Sequence, residues 1–134
     1  MVGLSYRIQV RHLVVEKPEV AELLKETINE VKGETKRIQM LMRLAEKYSL
    51  CSSKADGGNL GWIEMGSNDP RLREYDPVLE NTELEEIIRT AVRNHKIEKG
   101  RLFGPVQTRQ GHHLLVIANE FGADNATDFT GSSL

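Results

Sequence analysis

The chain has 134 residues, enough for one domain with one core. Its 18 Lys and Arg against 20 Asp and Glu leave a formal charge of -2, which gives no basic footprint for nucleic acid. No apolar run approaches the roughly 20 residues that cross a bilayer. The start, "MVGLSYRIQV", lacks the basic and long apolar regions of a signal peptide, and a single cysteine cannot close an internal disulfide. These features lead to the expectation of a monomer in the cytoplasm or another soluble intracellular compartment, with no nucleic-acid or membrane partner.

"YRIQVRHLVV" alternates as a strand does, with Tyr6, Ile8, Val10 and His12 on one face. Pro18 then opens a helix whose stripe is Val20, Leu24, Ile28 and Val31, ending near Gly33. "KRIQMLMRLAEKYS" repeats the helical period with Ile38, Leu41, Met42 and Ala45. A loop over 49–59 follows, holding Cys51 and a Gly-Gly step, and "LGWIEM" fits a brief strand. Residues 66–82 carry two Asp-Pro steps and read as an irregular polar excursion.

"TELEEIIRTAVRNHKI" is a third helix, with Thr82 as its cap and Leu84, Ile87, Ile88 and Ala91 inward. "FGPVQT" and "HHLLVIAN" form a hairpin through "RQG". The order strand, two helices, strand, helix, hairpin predicts an α+β domain with a four-stranded, mostly antiparallel sheet and helices against it. The domain is expected over 1–118, with a polar, mobile tail over 119–134.

Most cofactor chemistry finds no support. "GGNLG" lacks the spacing and lysine of a phosphate loop. His12, Cys51, His112 and His113 match no compact metal-ligand spacing, so neither metal nor cofactor is expected. Cys51 precedes a loop rather than a clear helix, which argues against a Cys-His hydrolase. A lone cysteine is more often a small buried hydrophobe. The histidines are more informative. His12 ends one strand face, and His113 shares a face of the last strand with Leu115 and Ile117. With the first and last strands side by side, the two rings meet.

Five pieces carry a resemblance: "RHLVV" at 11–15, "LAEKYSLCSS" at 44–53, "GGNLGWI" at 57–63, "GPVQT" at 104–108 and "GHHLLVI" at 111–117. Their order along residues 7–118 resembles a parvulin-type peptidyl-prolyl cis/trans isomerase domain. The resemblance implies a parvulin-like fold and a non-covalent rotation of X-Pro bonds in peptide or protein substrates. It places His12 and His113 on the family's histidine pair, and Cys51 on its active-site cysteine. Thr108 falls on the threonine that bonds within the cluster, and Leu60 on a leucine of the proline pocket. Gln110 stands where many relatives carry serine.

One departure bears on the pocket. Relatives pass from the glycine-rich strand to "GQM" and a helix beginning "EFEE", whereas this chain has "ELEE" at 83–86. Leu84 thus replaces a phenylalanine and loses its aromatic face. Leu79 or Val78 is expected to supply the third wall, with the excursion folded outside the cavity. The arginine-rich loop that selects phosphoserine in some relatives is absent, so no phosphate preference is expected. A weak or inactive peptide-binding or chaperone module is the competing function.

Overall fold

A computed structural model describes residues 6–66 and 78–122. The elements are β1 (Tyr6–Val15), α1 (Pro18–Asn29), α2 (Glu34–Tyr48), a 3-10 turn (Ser52–Asp56), β2 (Asn59–Gly66), α3 (Thr82–Arg93), β3 (Phe103–Thr108) and β4 (Gly111–Phe121). The four strands form one antiparallel sheet in the order β2-β1-β4-β3. The first and last strands are therefore the two central ones. β4 runs on to Phe121, two residues past the predicted strand end. The central part of the excursion, 67–77, and the tail beyond 122 lie outside the described residues, so the expectations about them do too.

Period-two alternation in β1 and β4 splits the core between the two sheet faces. Ile8, Val10, Ile63, Leu115 and Ile117 pack with Leu84, Ile88 and Ala91 of α3. Leu13, Val15, Leu114 and Val116 pack with Ala21, Leu24 and Ile28 of α1 and Leu41 and Ala45 of α2. Burying both faces of two adjacent strands is what makes "HLLVIA" nearly continuous in apolar residues.

Two helical stripes differ from expectation. In α1 the buried set is Ala21, Leu24 and Ile28; Val20 is exposed, and the helix ends at Asn29, before Val31. Leu24 and Ile28 keep their expected places, and Ala21 takes the first inward position instead of Val20. In α3, Ile87 is only half-buried, while Glu85 and Arg89 are buried. This pair is a tie rather than a solvated face. Glu85 Oε2 accepts from Arg89 Nε at 3.0 Å, and its Oε1 accepts from the Val78 and Leu79 amides at 2.8 and 2.7 Å. Arg89 Nη1 also donates to the Glu64 carbonyl at 2.8 Å. Burial alone would raise the pKa of Glu85. The two amides and the guanidinium outweigh it and hold the carboxyl below its ordinary value. The end of β2 and the start of the segment entering α3 are thereby fastened to one helix turn.

Candidate functional site

His12 and His113 both lie on the α3 face of the sheet, because β1 and β4 register Val14 against His113 and His12 against Leu115. The two histidines are thus diagonal neighbours, within reach of ring side chains. Their rings stack at 5.2 Å between centroids and 19° between planes, with Nδ1 to Nδ1 at 3.1 Å. The expected meeting of the two rings is what the register produces. His112, on the opposite face, is half-buried and is not one of the two stacked rings.

Thr108, at the end of β3, places its Oγ1 2.7 Å from His113 Nε2. Burial, and then the neighbouring His113, push His12 down to about 3. Burial likewise pushes His113 down to about 4, with a smaller upward pull from Glu83 and a smaller downward push from His112. Both rings are neutral at pH 7, so the cluster is a fixed polar array rather than a charged one.

The loop after α2 is laid against β1 by the Ser49 hydroxyl and one backbone bond. Ser49 Oγ accepts from the Val14 amide at 3.0 Å and the Cys51 amide at 3.3 Å, and the Leu50 amide donates to the Val14 carbonyl at 2.8 Å. The half-buried Cys51 caps the 3-10 turn, its Sγ accepting from the Ser53 amide at 3.5 Å. The turn returns through Gly58, whose carbonyl accepts from the His12 amide at 2.9 Å. Arg11 clamps the same turn, its Nη1 donating to the Asp56 carbonyl at 2.7 Å.

These segments enclose a cavity of about 650 Å³. His12, Cys51 and Ser53 line one side, and Leu60, Val78, Leu79 and Leu84 supply the apolar wall. Gln110 and Arg109 close the rim from the β3–β4 turn, where the Arg109 amide donates to Glu83 Oε1 at 3.1 Å, and Glu80 also lines the cavity. Thr108 and His113 are not in the lining and act behind His12. Leu84 is both a cavity residue and a core residue, at 1 % exposure. Val78 is 55 % exposed, an outer lip rather than an enclosing wall.

Asn81 is the residue that sequence reasoning missed. It lies at the end of the excursion and caps α3 in place of Thr82, its Oδ1 accepting from the Leu84 amide at 2.9 Å. Its Nδ2 donates to Thr108 Oγ1 at 3.1 Å and to Gln110 Oε1 at 2.9 Å. The signal was present in "NTEL", where Asn is at least as good a cap as Thr. The contacts with β3 and its turn had no local signal.

Known families can be set against this geometry. The family described as Rotamase, PPIC-type PPIASE domain, matches residues 12–119. The chain belongs to this PpiC-type peptidyl-prolyl isomerase (parvulin) family. Among curated relatives of this PpiC-type domain, Rhodanese-like/PpiC domain-containing protein 12, chloroplastic, of Arabidopsis thaliana is 32% identical over 119 residues, covering 87% of this chain and 31% of the relative. Foldase protein PrsA of Bacillus subtilis is 27% identical, covering 90% and 33%. The chain therefore spans about a third of these relatives' length. A solved SurA-like chaperone of Campylobacter jejuni, from the pair PEB4 and the periplasmic protein Cj1289, superposes with a TM-score of 0.64 at 21% identity, covering 95% of this chain and 44% of that one. It supports the fold.

The comparisons overturn the expected cytoplasmic location. Where relatives' descriptions give a compartment, it is the periplasm or the chloroplast. The expectation leaned on cysteine count, and a chain with one cysteine forms no internal disulfide in an oxidising compartment either. Among the described residues no helix is long and apolar enough to cross a membrane.

Proposed function

We propose that this PpiC-type domain is a proline-directed peptide-binding module of a chaperone or foldase. The observation that carries the reading is the junction, in one open cavity, of an apolar wall (Leu60, Leu79, Leu84) with His12, the lining member of a neutral polar cluster. An apolar wall suits a pyrrolidine ring, and the polar side suits the flanking peptide groups, which demand hydrogen bonds when desolvated. The chaperone and foldase relatives support this context.

The histidine cluster favours a second reading, catalysis of X-Pro rotation. The bond resists turning because resonance makes it partly double. Rotation needs no bond made or broken; it needs a site that favours the twisted state, with charge returned to the carbonyl group and nitrogen. In this reading Leu60 holds the ring, Cys51 sits beside the turning carbonyl, and the neutral pair of His12 and His113 fixes the local field. Leu84 offers no aromatic face, which places turnover below binding as the stronger claim.

The rim carries two acids, Glu80 and Glu83, and one base, Arg109. This balance supports clients with an apolar or basic residue before proline over phosphorylated ones. Fluorescence anisotropy with matched peptides, one X-Pro and one X-Ala, tests the binding reading. Selective binding of the proline peptide is expected, and equal affinity for both would refute it. Magnetisation-exchange NMR on the same X-Pro peptide tests rotation separately.

A further inference from the structure

We propose that Asn81 is a positioning residue that sets, through Thr108, which nitrogens of His12 and His113 carry protons. The proposal rests on the reading of the cavity as a peptide site for its purpose, while the proton pattern itself is a property of the free protein.

Helix α3 fixes the first link. Its Leu84 amide must donate, so the Asn81 atom facing it at 2.9 Å is the amide oxygen. The Asn81 nitrogen is then turned to β3, and its two hydrogens go to Thr108 Oγ1 and Gln110 Oε1. Thr108 Oγ1 also accepts from the Gln110 amide at 3.1 Å. With two donors aimed at it, the hydroxyl has used both lone pairs and retains one hydrogen to give. The remaining partner is His113 Nε2, at 2.7 Å.

The rest follows along the rings. His113 Nε2 accepts, so in the neutral ring the proton sits on Nδ1. That proton is donated to His12 Nδ1 at 3.1 Å. His12 Nδ1 accepts, so its proton sits on Nε2. This nitrogen is buried and has no partner among the described residues. The amide of one asparagine thus leaves His12, a cavity residue, as a hydrogen-bond donor. A peptide carbonyl, the group whose charge grows as the X-Pro bond twists, is the acceptor class that suits such a donor once the side chains over this buried nitrogen give way.

Asn81→Asp is the sharpest perturbation. Aspartate caps a helix as well as asparagine, but turns an acceptor toward Thr108. The hydroxyl then donates to the carboxylate and accepts from His113, and both rings exchange tautomers. Long-range 1H–15N correlation spectra of the free protein at neutral pH read this directly, since bare and protonated ring nitrogens resonate far apart. The expected wild-type pattern is His113 protonated at Nδ1 and His12 at Nε2, with the positions exchanged in Asn81→Asp. Asn81→Ser keeps a capping oxygen without the amide donor, and is expected to show mixed tautomers; it serves if the aspartate variant fails to fold. A wild-type pattern of the opposite sense, or an unchanged pattern in the variant that folds, overturns the proposal. Peptide binding is scored separately. Equal affinity of the wild type for X-Pro and X-Ala peptides, with the tautomers as expected, would sink the functional reading and leave the role of Asn81 standing.

Discussion

Gly58 joins the loop that carries Cys51 to the strand that carries His12, so Gly58→Ala tests how the site is held. The backbone there is left-handed, with φ at +78°, which costs a non-glycine residue roughly 1–2 kcal/mol. An added Cβ would stand 2.0 Å from the His12 carbonyl oxygen and 3.1 Å from its amide nitrogen. Neither is the end of a flexible side chain, so the loop must lift. Lifting breaks the bond from the His12 amide to the Gly58 carbonyl, leaving a buried donor at about 1–3 kcal/mol. Together these predict a loss of about 2–5 kcal/mol. Gly57→Ala is the comparison: φ is +63°, but the nearest atoms are Arg11 Nη1 and Met42 side-chain carbons, at 2.9 and 3.1 Å. It should cost clearly less. Urea unfolding reads both as midpoint shifts at constant slope. Equal costs for the two variants, or less than about 1 kcal/mol for Gly58→Ala, would refute the account of how the loop is seated.

Leu84→Phe should destabilise by roughly 1–3 kcal/mol, because Leu84 is enclosed by the α3-face core; an unchanged midpoint with tighter peptide binding would make it a free pocket position instead. Glu85→Ala leaves the buried Arg89 without its carboxylate and should cost about 3–5 kcal/mol in denaturant unfolding; a cost near zero would show the tie to be dispensable. The histidines titrate near 3 and 4 when folded against 6.5 when unfolded. Because the folded values are depressed, their stability is fully present above pH 6.5 and is lost as pH falls towards 4, by more than about 2 kcal/mol. Unfolding midpoints flat between pH 7 and 4 would contradict the neutral pair.

The central sheet was legible because β1 and β4 are strongly patterned and the α3-face positions alternate cleanly. His12 and His113 were legible as a pair for the same reason, since strand parity fixes the face once the strands are adjacent. Cys51 and Leu60 came from the resemblance, which supplies long-range placement that spacing cannot. What was lost has physical causes. Val20 and Ala21 compete for one stripe in α1, and hydrophobicity alone favours the larger residue, whereas the smaller takes the inward position. Glu85 and Arg89 read as surface residues because their partners, the amides of Val78 and Leu79 and the carbonyl of Glu64, are backbone groups with no sequence signature. Asn81 was hidden in a polar stretch, and its partners Thr108 and Gln110 are more than 25 residues away.

The most direct test of the peptide-binding claim is a titration of the 15N-labelled protein with a short unmodified X-Pro peptide, followed by amide chemical shifts. The account predicts saturable shifts grouped at Cys51, Ser53, Leu60, Leu84 and Gln110, with none on the exposed side of α1. Shifts grouped on the α1–α2 face of the sheet, or an identical map with an X-Ala peptide, would contradict it.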